Sequence, residues 1–385
     1  MTIKTPSARD WQGKRILLRL DLNVPLSPGR IADDFKLRAV LPTIRRFRAK
    51  AALIIVTHIG EPSGKASDRK VFSVSPVVLW LRRRLGRRII AGGFNWNKLK
   101  RQALGLKVGD ILILENMRLF PGESDNSPVL ARKLAQLGDA VINDAFAVSH
   151  RANASISAIG DFLPMFAGPH LAEEVKNLDY AMHGRQPLLT VVGGGVKLPS
   201  KLPFIRQLLR RSNAVLTGGA IANTFLKAAG NEIGHSLFDV SSLSSARKLL
   251  SKKIAMPIDV VVVNQRDGSS VKKIEDVTST DTIIDIGPAT RIMYGKKMDK
   301  ARTIVWNGPM GIFEKKTGMA GTKALAKAIV TASKRGAYTL IGGGETLSAV
   351  SVANRRNLNW VSTGGGATLS YLAGLPMPGL KNIIS

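Results

Sequence analysis

The sequence predicts an α/β protein in two parts, each built on a parallel sheet flanked by helices on both faces. Three observations lead there. A chain of 385 residues is too long for one ordinary core and suggests two domains. Short apolar runs recur along it, each bounded by Gly, Asn, Asp or Pro and succeeded by a longer amphipathic stretch. That alternation makes parallel strands joined by right-handed helical crossovers. The residues just after the apolar runs differ between the halves: charged and amide side chains in the first, glycine clusters in the second.

In the first half the runs place strands at Arg15–Leu20, Ala52–Thr57, Ile111–Glu115 and Ala140–Asn143. Amphipathic spacing between them predicts helices over Lys36–Lys50, Pro76–Leu85 and Pro128–Leu137. In the second half strands are expected at Leu188–Val192, Ala214–Thr217, Asp259–Val263, Thr303–Trp306, Thr339–Ile341 and Trp360–Ser362. The intervening helices are Lys201–Arg210, Ile221–Ala229, Ser244–Lys253, Gly321–Ser333 and Thr346–Ala353. No fixed-period repeat and no low-complexity tract interrupts the pattern.

The apolar fraction of 44% and charged fraction of 22% are those of a globular protein. The absence of Cys excludes a disulfide framework, a thiolate metal site and a cysteine nucleophile, and fits a reducing cytoplasm. The opening residues lack the apolar core and cleavage site of a secretory signal. The uncharged stretch Trp360–Leu380 is broken by glycines and prolines and does not read as a membrane span. A soluble, cytoplasmic protein without a membrane partner is expected. Lys and Arg number 57 against 27 Asp and Glu, a formal charge of +30. Denser clusters fall at Arg45-Arg46-Phe47-Arg48, at Arg82-Arg83-Arg84 with Arg87-Arg88, and at Lys98–Arg101. Such a surface attracts polyanions, so nucleic acid is compatible with it but not predicted from charge alone.

Ligands of open parallel sheets bind beyond the carboxyl ends of the strands. There the first half offers Asp21 and Asn23, then His58, then Glu115-Asn116 with Arg118, then Asn143-Asp144, with His150 and Arg151 a little further on. This half reads as built to grip a small charged molecule with side chains. The second half offers Gly193-Gly194-Gly195, Gly218-Gly219, Gly342-Gly343-Gly344 and Gly364-Gly365-Gly366. Glycine lets amides reach a ligand without a Cβ in the way, and a helix starting directly afterwards presents free N–H groups to phosphate. Neither common nucleotide fingerprint is present: Gly60–Lys65 is one residue short of a P-loop, and no cluster completes G-x-G-x-x-G. A phosphate binder outside both classes is implied. Lys197 and Lys201, one helical turn apart beside a glycine cluster, suit charge developing on a transferring phosphoryl group.

Seven segments then resemble the phosphoglycerate kinase family in order and spacing. They are LRLDLNVP (Leu18–Pro25), LENMRLFPGE (Leu114–Glu123), NDAFAVSHRANAS (Asn143–Ser155), TGGAIANTFLKAAG (Thr217–Gly230), VWNGPMGIFE (Val305–Glu314), IGGGETLSAV (Ile341–Val350) and STGGGATL (Ser362–Leu369). The resemblance implies two Rossmann-like three-layer lobes with parallel sheets. Residues 1–169 would form the phosphoglycerate lobe, 170–184 a linking hinge helix and 185–375 the nucleotide lobe, with 376–385 returning to the first. It implies a monomeric phosphotransferase of glycolysis with a carboxyl group as acceptor. Its substrates would be 3-phosphoglycerate and 1,3-bisphosphoglycerate, with ATP or ADP carrying Mg2+. By motif position Asp21, Asn23, Lys36, His58, Arg118 and Arg151 would bind the phosphoglycerate. Gly194, Gly195, Lys201, Gly218, Gly219, Asn307, Pro309, Glu314, Gly342, Gly343, Gly344, Glu345 and Thr346 would line the nucleotide site, with Glu345 facing the metal. Lys197, Lys36, Gly343 and Gly366 would serve the transfer itself.

Three positions depart from the family's pattern. Lys36 stands for an arginine and keeps the charge without the planar fork. Glu61 stands for another arginine and reverses a charge beside an anionic substrate. Glu345 stands for an aspartate and is one methylene longer. Pro199, in the divergent segment after Gly195, suits a helix's first turn. Two alternatives accompany the kinase reading: a nucleotide-binding relative with weak or altered activity, and a basic polyanion-binding protein on the same fold.

Overall fold

A computed structural model of the chain describes residues 2–27, 30–86, 88–183, 187–194, 198–264 and 268–384. They divide into two compact units, Met1–Val175 with Pro376–Ser385, and Lys176–Leu375.

The first unit contains β1 (Arg15–Arg19), β2 (Leu26–Ser27), β3 (Arg30–Ile31), β4 (Ala52–Val56), β5 (Ile89–Ala91), β6 (Ile111–Ile113), β7 (Ala140–Asn143) and β8 (Met165–Ala167). Six of these form one sheet in the order β5-β6-β4-β1-β7-β8, and every neighbouring pair is parallel. β2 and β3 pair separately as a short antiparallel ladder. The core arises from a side-chain period of two. Ile16, Leu18, Leu53 and Ile55 pack with Val40, Ile44, Phe47, Val77 and Leu81 from the helices Phe35–Arg48 and Ser75–Leu85. Leu17, Ile54, Leu112 and Val141 alternate with the core-facing strand residues and are equally buried, so the opposite face of the sheet is covered too. The chain's last residues rejoin this unit: Ile384 bridges Ile3, and the amide of Lys4 donates to the Ile383 carbonyl at 2.8 Å.

The second unit contains β9 (Leu188–Val192), β10 (Ala214–Thr217), β11 (Ile254–Ala255), β12 (Asp259–Asn264), β13 (Gly268–Lys273), β14 (Thr282–Ile286), β15 (Thr303–Asn307), β16 (Tyr338–Gly342) and β17 (Trp360–Ser362). Its six-stranded sheet runs β11-β10-β9-β15-β16-β17, again parallel throughout. Leu189, Val191, Ile304, Trp306 and Ile341 pack one face against Tyr294 and Met298 of the helix Pro288–Asp299 and Leu325 and Ile329 of the helix Ala320–Lys334. In both sheets the chain leaves the first strand toward one edge and later returns to build the other. The reversals lie between β1 and β7 and between β9 and β15, and crevices at such reversals are where ligands bind in open α/β sheets.

All ten expected strands form, with one correction of placement. Asp259–Val263 is not part of a parallel sheet. β12 sits in the middle of a separate antiparallel sheet, β13-β12-β14. Only three residues separate β12 from β13, far fewer than the dozen or more that a parallel crossover needs. The sequence signal for this hairpin is Asp267-Gly268, shortly after an apolar run. β2, β3, β13 and β14 lie outside the expected set, as do β5, β8 and β11 at the ends of the parallel sheets. The last three are edge strands of two or three residues, too short to carry a period. The helix expected over Thr346–Ala353 is two helices, Gly344–Ser348 and Val352–Arg355. Ser351 separates them, its hydroxyl accepting from the Asn354 amide as the cap of the second. Pro199 lies in the first turn of the helix Leu198–Arg211. The helix Pro169–His183 covers most of the expected His170–Gly184, and Gly184 lies outside the described residues. No helix among the described residues is long and apolar enough to cross a membrane.

Candidate functional site

At the carboxyl ends of β1 and β4 the first unit gathers a cluster of cations. Lys36, on the first turn of its helix, donates to the Asp21 carboxylate at 2.7 Å. The other Asp21 oxygen accepts from the Asn23 amide at 3.1 Å, and Asn23 Oδ1 accepts from the Gly60 amide at 2.8 Å. The loop after β1 is thereby tied to the loop after β4. Arg118, in the turn after β6, is nearly buried and donates to the Gly60 carbonyl. Its Nη1 also lies 2.8 Å from Glu61 Oε1, and Arg151 reaches the same oxygen at 3.4 Å. The structure therefore brings Asp21, Asn23, Lys36, His58, Arg118 and Arg151 together.

His58 is 3% exposed. Its Nδ1 lies 3.3 Å from Arg19 Nη2, which can only donate, so Nδ1 accepts and the ring proton sits on Nε2. Burial, reinforced by the positive charges of Arg19, Arg118, Lys36 and Arg151, holds the imidazole well below its usual range. The ring is neutral at pH 7 and presents an N–H donor. Stability depends on pH through this group. The unfolded chain takes up a proton at His58 below about pH 6.5, while the folded chain does not, so the residue's contribution falls as pH drops. Its share is expected to decline by about 1.4 kcal/mol per pH unit below that point, until the folded ring is protonated as well. Urea unfolding at several pH values checks this: His58→Gln, which keeps an acceptor for Arg19, should show a shallower loss of stability on acidification.

Arg19 is not among the residues that the sequence pattern singles out. It is 2% exposed and donates to the Leu20 carbonyl at 2.6 Å and to Ser155 Oγ at 3.3 Å. Ser155 Oγ in turn donates to the buried Glu123 at 2.6 Å. The signal available is a charged residue inside an apolar strand run, Ile16-Leu17-Leu18-Arg19-Leu20, since a buried charge persists only when partnered. Four polar residues at strand ends have instead a structural place. Glu115 accepts from the amides of Val74 and Asn116, and the Asn116 side chain donates to the Ile59 and Phe72 carbonyls. Asn143 donates to Ser149 and Gly379, and Asp144 accepts from Thr43 and the Leu171 amide. They fix the loops that carry the cations.

The second unit's reversal, between β9 and β15, is made of backbone packed on backbone. Gly193 N donates to the Asn307 carbonyl at 2.9 Å and Gly194 N to the Pro309 carbonyl at 2.7 Å. Gly219 N donates to Met310 O at 2.8 Å, and Ala220 N to Gly194 O at 3.1 Å. A Cβ on Gly193 would collide with Pro309 O, and one on Gly218 would lie 2.8 Å from Met310 Cα. The glycine clusters suggest room for a ligand; they are first a condition for three loops to touch. Beside them opens a cavity of about 300 Å³ whose lining includes Gly194, Gly219, Asn223, Pro309, Asp285 and Glu314. Its size and mostly apolar wall suit part of a small organic ligand. Asp285 accepts from the Gly321 amide at 2.6 Å and faces Arg291 at 3.5 Å, yet burial raises its carboxyl to about 6.

Gly218, Asn307, Gly342, Gly343 and Thr346 are not among the cavity's lining residues. Asn307 ends β15 in register with Gly342, and the Thr346 hydroxyl accepts from Gly308 N at 2.7 Å, holding the β15 loop. Gly343 has a φ of +95° and directly precedes the helix Gly344–Ser348. Gly366 opens the helix Gly366–Leu372. These helices are short, so free N–H groups rather than a long dipole are what they offer a phosphate. Gly195 and Lys197 lie outside the described residues. Lys201, Gly344 and Glu345 are described only as members of their helices.

The comparisons with known proteins agree over nearly the full length. A family model described as phosphoglycerate kinase matches residues 7–375. The chain is 39% identical to the phosphoglycerate kinase of Chloroflexus aggregans, covering 99% of this chain and 98% of that one. It is 37% identical to that of Pelotomaculum thermopropionicum, covering 100% of both. Among solved structures, phosphoglycerate kinase from Coxiella burnetii superposes with a TM-score of 0.86 at 36% identity, covering 99% of this chain and 98% of the other. The Pyrococcus horikoshii OT3 enzyme gives 0.80 at 29%, covering 97% and 96%.

Proposed function

Because this chain belongs to the phosphoglycerate kinase family, we propose that its first unit binds the phosphoglycerate and its second the nucleotide. The enzyme is a phosphotransferase that moves a phosphoryl group reversibly between 1,3-bisphosphoglycerate with ADP and 3-phosphoglycerate with ATP. The observation that best supports this division is the cation cluster of Lys36, Arg118 and Arg151 around a neutral His58. Guanidinium groups suit phosphate and carboxylate through paired hydrogen bonds, and the His58 Nε2–H adds a neutral donor.

In the ATP-consuming direction a carboxylate oxygen of 3-phosphoglycerate attacks the γ-phosphorus. The bond from that phosphorus to the β–γ bridging oxygen breaks, and its electrons leave with ADP. The attacking carboxylate is already ionised at neutral pH, so no side chain need remove a proton. That suits Asp21, which is held by Lys36 and the Asn23 amide and so orients the loop instead of acting as a base. The chain's task is positioning and charge stabilisation. Lys197 would stabilise the transferring group, aided by amides at Gly343 and Gly366. Gly194, Gly219, Pro309 and Glu314 would receive the nucleoside.

Mg2+ enters as part of the nucleotide substrate. No cluster of three His, Asp or Glu side chains forms a metal cage among the described residues. Mg2+ commonly takes one or two carboxylates plus substrate phosphates, and one carboxylate, Glu345, directly follows Gly342-Gly343-Gly344 in the sequence. That donor set fits an ion carried in by phosphate, whose chemistry is to neutralise charge on the transferring oxygens. Monomeric, cytoplasmic operation belongs to the same proposal. A coupled assay of purified protein with Mg-ATP and 3-phosphoglycerate, at low and physiological salt, tests the reading. Robust turnover is expected; nucleotide binding without turnover would sink it.

A further inference from the structure

Both ion pairs of the two arginines in the cation cluster run to one oxygen, Glu61 Oε1, which lies 2.8 Å from Arg118 Nη1 and 3.4 Å from Arg151 Nη1. A carboxylate oxygen between two guanidinium groups has the chemistry of the anionic ligand such a pair would bind. We infer that Glu61 is a built-in competitor for the acidic substrate, occupying the Arg118–Arg151 pair in the free enzyme and leaving when phosphoglycerate arrives. The inference rests on the first unit being the phosphoglycerate site.

The two sides of the contact are held unequally. Arg118 has a side chain only 10% exposed and is anchored on the Gly60 carbonyl, while the Glu61 side chain is 71% exposed. The backbone from which Glu61 emerges is also fixed. Gly60 has a φ of +58°, its amide is tied to Asn23 Oδ1, and a Cβ there would run into the Phe72 ring. The arginine stays and the glutamate can swing into solvent. Because the pair is open to water it is weak and screened by salt, so it tunes affinity instead of blocking the site. It also sets selectivity: a ligand must be anionic enough to outcompete an internal carboxylate. A singly charged small anion is rejected more readily than a phosphate ester.

The test compares wild type with Glu61→Gln, which keeps the size and removes the charge. Binding of 3-phosphoglycerate is measured by titration calorimetry, and KM and kcat with saturating Mg-ATP, at low and raised salt. At low salt Glu61→Gln is expected to bind 3-phosphoglycerate about fivefold more tightly, with KM falling by a similar factor and kcat moving much less. The gap should narrow as salt screens the pair. Unchanged or weaker binding in the variant overturns the inference, and if turnover is robust the kinase reading survives. Tighter binding with no turnover in either form upholds the competitor and removes the kinase reading. No detectable 3-phosphoglycerate binding in either form overturns both.

Discussion

Replacing Arg118 with methionine is expected to lower kcat/KM for 3-phosphoglycerate by roughly 10²- to 10³-fold while leaving the fold in place. Arg118 is the best-held cation of its cluster: its side chain is 10% exposed and its guanidinium is already fixed by the Gly60 carbonyl and Glu61. The Gly60 anchor lowers the cost of organising the guanidinium when an anion arrives, leaving the exposed Glu61 ion pair as the contact to be displaced. Methionine keeps much of the stem's volume, which separates lost charge from lost packing. Steady-state kinetics together with a thermal melt decide the matter. A loss of less than about tenfold in kcat/KM, with the melt unchanged, would take Arg118 out of substrate binding.

Gly308→Ala should damage the second unit severely. Gly308 has a φ of +92°, and its Cβ would run into Gly193 O and lie 2.5 Å from Gly193 C. Both neighbours are backbone held by hydrogen bonds at the β9–β15 reversal, so neither can step aside cheaply. We expect a stability loss of about 3–5 kcal/mol and weakened nucleotide binding under conditions where the variant remains folded. Gly336→Ala is the control, because Gly336 has a φ of +91° but open space around its Cβ position. It should carry only the conformational cost, about 1 kcal/mol. Denaturant unfolding of the two variants separates clash from dihedral strain. Equal losses would show that the close approach of the loops contributes nothing.

Much of the fold is legible in one dimension. Strands such as Ala52–Val56 and Ile111–Ile113 are continuous apolar runs because both faces of a parallel sheet are covered, and such runs are visible without a structure. The edge strands β5, β8 and β11 are not, since two or three residues bear no pattern. The hairpin of β12 and β13 is hidden because the apolar run of β12 reads like any buried strand. Its partner is set by the short connection after it. For the candidate site, residue types at strand ends point to Asp21, His58, Arg118 and Arg151. The same signal points equally to Glu115, Asn116, Asn143 and Asp144, whose polar atoms are taken up by backbone and loop contacts.

Local composition and periodicity, which each segment carries alone, suffice for the α/β class. They also suffice for the cationic character of one unit and the glycine-rich character of the other. Folding settles a different matter: which polar groups are free for a ligand and which are consumed in holding the chain together. Arg19, set in an apolar strand, is behind the site because folding brings His58 and Ser155 against it. Glu61, a reversed charge on paper, is a partner because two arginines from distant segments converge on one oxygen. Gly193 and Gly308 matter because loops more than a hundred residues apart in sequence press together. Hydrogen-bond satisfaction and close packing are relations between segments, and only the folded chain expresses them.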